Sequence, residues 1–135
     1  MRARPIRPIR QRNSMDCGIA ALAMLTGKSY GDVAYQTRRL YPQIPRRGLG
    51  LYHLERIAKA LGFRLRRVYK RDGGHLIEHS LGILGVIGKG VSWAGHWVLW
   101  KESVIIDPDE DRQVWGMEEF LRSTKTRPTT MLVLE

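Results

Sequence analysis

The hydrophobic pattern of this chain changes once, near Gly62, from a spacing typical of helices to short apolar runs typical of strands. Before that glycine, residues 17–25, 29–40 and 51–61 each favour a helix. After it, the apolar runs are short and are separated by glycine and polar residues. Helices followed by strands predict the α+β class, with the N-terminal helices packed on one side of an antiparallel β-sheet.

Local signals set the bounds of these elements. Gly27 and Gly62 are expected to end the first and third helices, and Ser29 is expected to cap the second. The predicted strands are residues 63–68, 81–87, 93–100, 104–107 and 131–134, with a turn at residues 72–74 and a short helix at residues 117–121.

The length of 135 residues suits a single domain. Residues 1–10 are rich in arginine and proline and are expected to be extended, and residues 11–135 are expected to form the domain. No stretch approaches the roughly 20 apolar residues of a membrane span, and the N-terminus lacks the apolar region of a secretory signal. The single cysteine excludes an intramolecular disulfide, which is typical of the reducing cytoplasm. Together these features predict a cytoplasmic protein without membrane insertion.

Lysine and arginine outnumber aspartate and glutamate by 23 to 13, which gives a formal net charge of +10. Such a surface would attract an acidic protein or a nucleic acid. However, the sequence has no zinc-finger spacing, no RNP-like strand and no convincing helix-turn-helix pattern. A solvated basic face explains the charge equally well. The charge therefore bears on partners rather than on chemistry.

Cys17 begins the first helix, and Gln11 lies one short loop upstream. Asp16-Cys17-Gly18 leads directly into a run of small apolar residues, 19–25. A helix N-terminus carries a partial positive charge and unsatisfied N–H groups, which favour a thiolate over a thiol. This short segment could therefore supply both a nucleophile and an oxyanion donor.

His96 and Asp107 form a second candidate pair, on two predicted neighbouring strands. With Lys101 and Glu102 as the two loop residues of a hairpin, His96 lies opposite Asp107. Opposed residues share a face of the sheet, with Cβ atoms about 4.5–5.5 Å apart. The imidazole would then lie beside a carboxylate, which is the orienting pair that a cysteine nucleophile needs. Asp109, two residues further on, shares that face and is the reserve candidate.

Each of these residues on its own has an ordinary structural explanation. A lone cysteine before a small-residue helix is usually a core residue, and a histidine on an apolar strand is more often hydrogen-bonded in the core than catalytic. The ordered occurrence of Gln11, Cys17, His96 and Asp107 is much less common by chance. The set therefore indicates a thiol-dependent enzyme.

The same ordered set resembles the papain-like cysteine peptidases. The resemblance is greatest to the bacteriocin-processing branch, the N-terminal peptidase domains of peptide-exporting ABC transporters and their stand-alone relatives. The matching residues are Gln11, Asp16-Cys17-Gly18 with its alanine-rich helix, Gly95-His96-Trp97-Val98 and Asp107-Pro108. The resemblance spans about residues 9–134, and residues 48–62 are also similar in style.

This resemblance implies a papain-like fold and a cysteine peptidase that hydrolyses a peptide bond in a peptide or protein substrate through a thioester. Cys17 would be the nucleophile, and His96 its general base and later general acid. Asp107 would orient His96, and the Gln11 carboxamide with the Cys17 backbone N–H would form the oxyanion hole. Members of this branch cut leader peptides after a double glycine, usually in the context of a transporter.

Two alternatives stay open on the sequence alone. An acyl transferase or deamidase would use the same scaffold, and a non-catalytic basic papain-like module would bind an acidic protein or a nucleic acid. No cofactor is expected. No metal is expected either, because His53, His75, His79, His96 and Cys17 show no recognised ligand spacing. His53 is expected on the surface of the third helix, and the oligomeric state is left open.

Overall fold

The computed structural model describes residues 6–12, 16–44, 48–69, 80–88, 95–109 and 111–135. In these ranges the elements are α1 (Cys17–Thr26), α2 (Tyr30–Leu40), α3 (Leu51–Ala60), β1 (Leu65–Tyr69), β2 (Leu81–Gly88), β3 (His96–Lys101), β4 (Val104–Ile106), β5 (Val114–Gly116), α4 (Met117–Thr124) and β6 (Thr126–Leu134). The strands form one sheet in the order β1-β6-β2-β3-β4-β5, and all neighbouring pairs are antiparallel. The predicted α+β class is confirmed.

α1 is the central helix, and it packs against β2 and β3 in the middle of the sheet. Eight of its ten residues are buried, since its alanines and glycine allow neighbouring elements to approach closely. The helix ends at Gly27 as predicted, with a φ of 77° and an N–H that donates to Ala23 O at 3.0 Å. α2 and α3 pack beside α1, so the three N-terminal helices share one core with this face of the sheet.

The starts of α2 and α3 are each fixed by a side chain. Ser29 Oγ accepts the Asp32 N–H at 3.0 Å, which confirms the predicted cap of α2. The Gly50 N–H donates to His53 Nδ1 at 2.8 Å at the start of α3. His53 is half-buried, so the prediction of a surface histidine is wrong. The helical spacing predicts on which side of α3 His53 lies, but it cannot predict the hydrogen bond from the Gly50 N–H that draws the side chain toward the preceding loop.

α4 lies against the opposite face of the sheet from α1–α3. Its Phe120 is fully buried and belongs to a second core cluster with Trp100 and Ile105. None of the helices in the described ranges is long and apolar enough to cross a membrane.

β5 is not among the predicted strands and β6 begins well before its predicted start, whereas the ends of the other strands differ from the prediction by a few residues. β5 escapes prediction because three residues are too few to show a hydrophobic period. β6 begins at Thr126, five residues before its predicted start. The prediction starts too late because a proline such as Pro128 is unfavourable within a strand. That proline pairs with Val86 where the β2–β6 register shifts, and such an irregularity tolerates a missing N–H. The predicted turn at residues 72–74 lies outside the described residues.

The β3–β4 hairpin forms, but its predicted register is wrong. Glu102 and Ser103 are the loop residues, with φ of 49° and 70°, and Lys101 pairs with Val104. Two positive φ values are characteristic of a type I′ turn, which matches the right-handed twist of the strands. The observed pairing differs from the predicted one by two residues, so Asp107 stays on the His96 face of the sheet. It lies diagonal to His96 rather than directly opposite.

Gly85→Ala is predicted to destabilise the protein because a Cβ at this position of β2 would lie 2.9 Å from Trp97 Cζ3. The rigid indole cannot yield as a flexible side chain would. We expect the free energy of unfolding to fall by about 1–3 kcal/mol, measured by urea denaturation with tryptophan fluorescence. The matched control is Gly116→Ala, where a Cβ would meet nothing within 4 Å, and its change is expected to stay within about 0.5 kcal/mol. Equal losses in both variants would contradict the packing argument.

Candidate active site

The structure places Cys17, His96 and Asp107 next to one another, with His96 between the other two. Cys17 is the first residue of α1 and is partly exposed. Its side chain is close enough to the imidazole of His96, the first residue of β3, to act on the pKa of that ring. On the other side of the ring, His96 Nε2 lies 2.7 Å from Asp107 Oδ1. Because Nε2 is engaged by the carboxylate, Nδ1 is the nitrogen left to face the thiol.

The His96 imidazole is mostly withdrawn from solvent, with 11% of its side chain exposed, and the Asp107 side chain has 3%. Burial on its own lowers the pKa of His96 because it penalises the charged ring. The hydrogen bonds to Asp107 and Cys17 act in the opposite direction and prevail, which raises the pKa of His96 from 6.5 to about 10. The site therefore favours the imidazolium form at neutral pH.

Asp107 is held at its place by two backbone contacts. Its own N–H donates to Gln113 O at 2.8 Å, and its Oδ1 accepts the Asp109 N–H at 3.0 Å. Asp109 itself is exposed and contributes its backbone to the site. Of the two candidate carboxylates, Asp107 is thus the one that meets the imidazole.

Gln11 lies beside the same loop. It is buried, and its backbone N–H donates to the carbonyl oxygen of Pro108 at 2.9 Å. Arg10 reinforces this approach through a guanidinium contact of 3.0 Å to Asp111 Oδ1. Both of those side chains are more than half exposed, so the ion pair contributes little to stability. The segment that carries Gln11 is therefore attached to the loop that carries Asp107.

Trp97 follows His96 on β3 and contacts two neighbouring segments of the site. Its Nε1–H donates to Leu49 O at 2.6 Å, which links β3 to the loop before α3. The indole also lies against the start of α1, since a Cβ on Gly18 would be 3.4 Å from Trp97 Cδ1. The position of Trp97 directly after His96 in the sequence indicates that its indole lies near the site, but not which segments it contacts.

Asp16 is a second feature that the sequence did not assign. Its carboxylate is fully buried next to Cys17 and accepts hydrogen bonds from the Arg12 backbone N–H, at 3.1 Å, and from the Tyr30 hydroxyl. Tyr30 carries no sequence signal for this contact, because tertiary hydrogen bonds leave no periodic pattern.

A metal centre is absent from the part of the chain that the structure describes, since no three His, Cys, Asp or Glu residues there are grouped as ligands. His75 and His79 lie outside that part. The side chains that the structure brings together are a thiol, an imidazole and a carboxylate. Their chemistry suits acyl transfer to sulfur.

Comparison with known proteins agrees with this chemistry. A model of the Peptidase C39 family matches residues 6–124, which is most of the chain. No curated protein sequence matches.

Several solved structures share the fold. The peptidase domain of ComA from Streptococcus, a bi-functional ABC transporter involved in quorum sensing, has a TM-score of 0.66 at 19% identity, over 96% of this chain and 98% of that one. The Streptococcus mutans ComA peptidase domain gives 0.64 at 22% identity, over 95% and 98%. A double glycine motif protease from an AMS/PCAT transporter, solved with its leader peptide, gives 0.66 at 20% identity, over 96% and 91%.

His96 is predicted to keep its proton well above neutral pH. We expect its Cε1–H resonance to titrate near pH 10, and Asp107→Asn to move the midpoint down because the largest raising contact is lost. A raised pKa means that the folded state holds the proton more tightly than the unfolded chain. The resulting stability is complete below about pH 6.5 and is lost as the pH rises through about 10. The measurement is an NMR pH titration with His96→Ala to assign the resonance, and a midpoint near 6.5 in the wild type would contradict the expectation.

Proposed function

This chain belongs to the Peptidase C39 family and is a cysteine peptidase, and we propose that it cleaves a peptide after a Gly-Gly pair with Cys17, His96, Asp107 and Gln11. The observation that carries the assignment of residues is the hydrogen bond of 2.7 Å between His96 Nε2 and Asp107 Oδ1, with the Cys17 thiol beside the same ring. The carboxylate is buried and fixed by its own backbone contacts, so the ring has one preferred orientation.

The resting site is proposed to hold a thiolate and an imidazolium. A cysteine thiol is a weak nucleophile at neutral pH until a neighbouring cation or a helix N-terminus favours its ionised form. Cys17 has both, since it begins α1 and contacts the imidazole of His96. The raised pKa of His96 supports this proposal because it keeps the ring protonated over the neutral range.

The first half of the reaction transfers the acyl group to sulfur. The Cys17 thiolate attacks the carbonyl carbon of the scissile bond, and a tetrahedral intermediate forms with the negative charge on oxygen. His96 then gives its proton to the departing amine as the C–N bond breaks. A thioester between Cys17 and the N-terminal part of the substrate remains, and the C-terminal part leaves.

The second half returns the enzyme to its starting state. His96 is now neutral, so it accepts a proton from a water molecule that attacks the thioester. The collapse of this second intermediate releases the carboxylic acid and restores the thiolate. Asp107 keeps the ring oriented in both halves and stabilises its charged form, without itself taking the proton.

The oxyanion is proposed to bind the Gln11 carboxamide and the Cys17 backbone N–H. Two observations support this assignment: Gln11 is buried, and its backbone is attached to the loop that follows Asp107. Donors that are already in place where charge develops are among the largest contributions to enzymatic rate.

The proposed substrate is a peptide with glycine at the two positions before the scissile bond. One of the structurally similar proteins is a double glycine motif protease solved with a leader peptide. In this chain Gly18, the residue after Cys17, packs closely against Leu49 and the indole of Trp97, which are hydrogen-bonded to each other. A fixed wall of this kind beside the thiol favours residues without bulky side chains.

The triad assignment is tested by hydrolysis of a peptide that ends in Gly-Gly-aminomethylcoumarin. We expect Cys17→Ala to lower kcat/KM by at least about 10³-fold and Asp107→Asn by roughly 10²- to 10⁴-fold, because the latter leaves the imidazole without its anion. Release of the coumarin is followed by fluorescence. Asp109→Asn is the matched control, since its side chain is exposed and only its backbone contacts Asp107. A larger loss in Asp109→Asn than in Asp107→Asn would overturn the assignment.

The oxyanion assignment is tested separately by Gln11→Ala. We expect kcat on the same substrate to fall by about 10²- to 10³-fold, because one donor to the developing charge is removed. The rate at which iodoacetamide alkylates Cys17 should stay unchanged, since that reaction forms no oxyanion. Gln36→Ala is the control for loss of a carboxamide elsewhere, on α2, where the side chain binds Arg39. A loss of alkylation in Gln11→Ala would show that Gln11 supports the thiolate instead.

A further inference from the structure

Among the described residues, one buried acidic side chain has no role in the proposed reaction, the carboxylate of Asp16. It immediately precedes the nucleophile and is fully buried. Its position is the N-cap of α1, where an aspartate ordinarily accepts a hydrogen bond from the first turn of its own helix. Asp16 makes no such side-chain bond to α1. A buried charge is costly unless it is well hydrogen-bonded, so this side chain is directed to other partners.

Those partners come from two other parts of the chain. Asp16 Oδ2 accepts the backbone N–H of Arg12 at 3.1 Å and the hydroxyl of Tyr30, the first residue of α2. The Arg12 guanidinium lies over the Tyr30 ring, 4.1 Å from its centroid. The carboxylate thus connects the segment before α1, the start of α1 and the start of α2.

Arg12 directly follows Gln11, which places the connection at the proposed oxyanion donor. The backbone of this segment has one anchor on each side of the Gln11 side chain. The Gln11 N–H binds Pro108 O at 2.9 Å, and the next N–H along the chain binds Asp16. With both flanking amides fixed, the direction in which the Gln11 side chain leaves the backbone is fixed as well.

We propose that Asp16, held in turn by Tyr30, is a positioning residue that keeps the Gln11 carboxamide in place for the oxyanion. This inference rests on the proposed function of Gln11. Asp16 does not touch substrate in this role and does not exchange protons with it. Its effect is on the rate of the chemical step rather than on substrate binding, because an oxyanion exists only during that step.

The experiment compares Asp16→Asn and Tyr30→Phe with the wild type on the Gly-Gly-aminomethylcoumarin substrate. We expect kcat to fall about 10- to 100-fold in Asp16→Asn, less than the 10²- to 10³-fold expected when the donor itself is removed, and by a smaller factor in Tyr30→Phe. KM should change less than about twofold. Tyr35→Phe and Asp32→Asn are the matched controls, since both side chains are exposed on α2.

Two further readouts separate positioning from a structural role. The affinity of a peptide aldehyde that ends in Gly-glycinal should fall in parallel with kcat, because its adduct with Cys17 carries an oxygen at the oxyanion position. The rate and pH profile of alkylation by iodoacetamide should stay as in the wild type. If Asp16→Asn does not fold, Tyr30→Phe carries the same test, because it removes one hydroxyl from a packed ring.

A double-mutant cycle with Gln11→Ala gives the decisive outcome. If Asp16 acts through Gln11, Asp16→Asn should cause little further loss of kcat in the Gln11→Ala background. A full additional loss there, slower alkylation, or an unchanged kcat in Asp16→Asn while Gln11→Ala is impaired would each overturn the inference. The proposed function fails in a different way, through a wild type that does not hydrolyse the Gly-Gly substrate. The aldehyde and alkylation measurements stay informative in that case because neither needs turnover.

Discussion

The position of the thiol depends on the close packing of α1 between the sheet and α3. A Cβ on Gly18 would lie only 3.0 Å from Leu54 and 3.4 Å from Trp97, so the first turn of the helix is in full contact with both neighbours. Closely packed interiors deform little. Cys17 therefore has a fixed relation to His96, which lies next to Trp97 on β3. A nucleophile and base that are already aligned need little reorganisation during the reaction.

The geometry around Asp16 leaves the first turn of α1 without a side-chain cap. A capping side chain accepts the N–H of the second or third residue of the helix, here Gly18 or Ile19. In the described structure the carboxylate is directed to Arg12 and Tyr30 instead. A helix without a side-chain cap is less stable at that end. Here the burial of α1 in the core compensates for the missing cap.

Much of the fold follows from local pattern, because glycine and serine at helix ends and apolar spacing within helices act over a few residues. Gly27 and Ser29 are examples. The partnership of His96 and Asp107 followed from a hairpin whose turn was placed one residue too early. The two side chains still share a face because the observed pairing differs from the predicted one by two residues, and residues two apart in a strand point to the same side of the sheet. Asp107 was therefore placed on the His96 face even though the predicted register was wrong.

Contacts between distant segments could not be predicted in this way. Trp97 and Leu49 lie 48 residues apart in the chain, and the backbone carbonyl that the indole binds has no sequence signature. Asp16 and Tyr30 are closer, but a tyrosine at the start of a helix reads as a packing residue. Hydrogen bonds of this kind depend on how elements are placed in space, which neither propensity nor period encodes.

The contact between Arg10 and Asp111 joins residues 101 positions apart, and the neighbouring bond from Gln11 to Pro108 spans nearly the same distance. Such long-range closures form late in folding, because the entropy of a large loop must be overcome first. A chain that is still emerging during synthesis has Cys17 and α1 but lacks the strand that carries His96. The proposed site therefore forms only after the segment that carries His96 and Asp107 has been synthesised, long after the nucleophile and its helix.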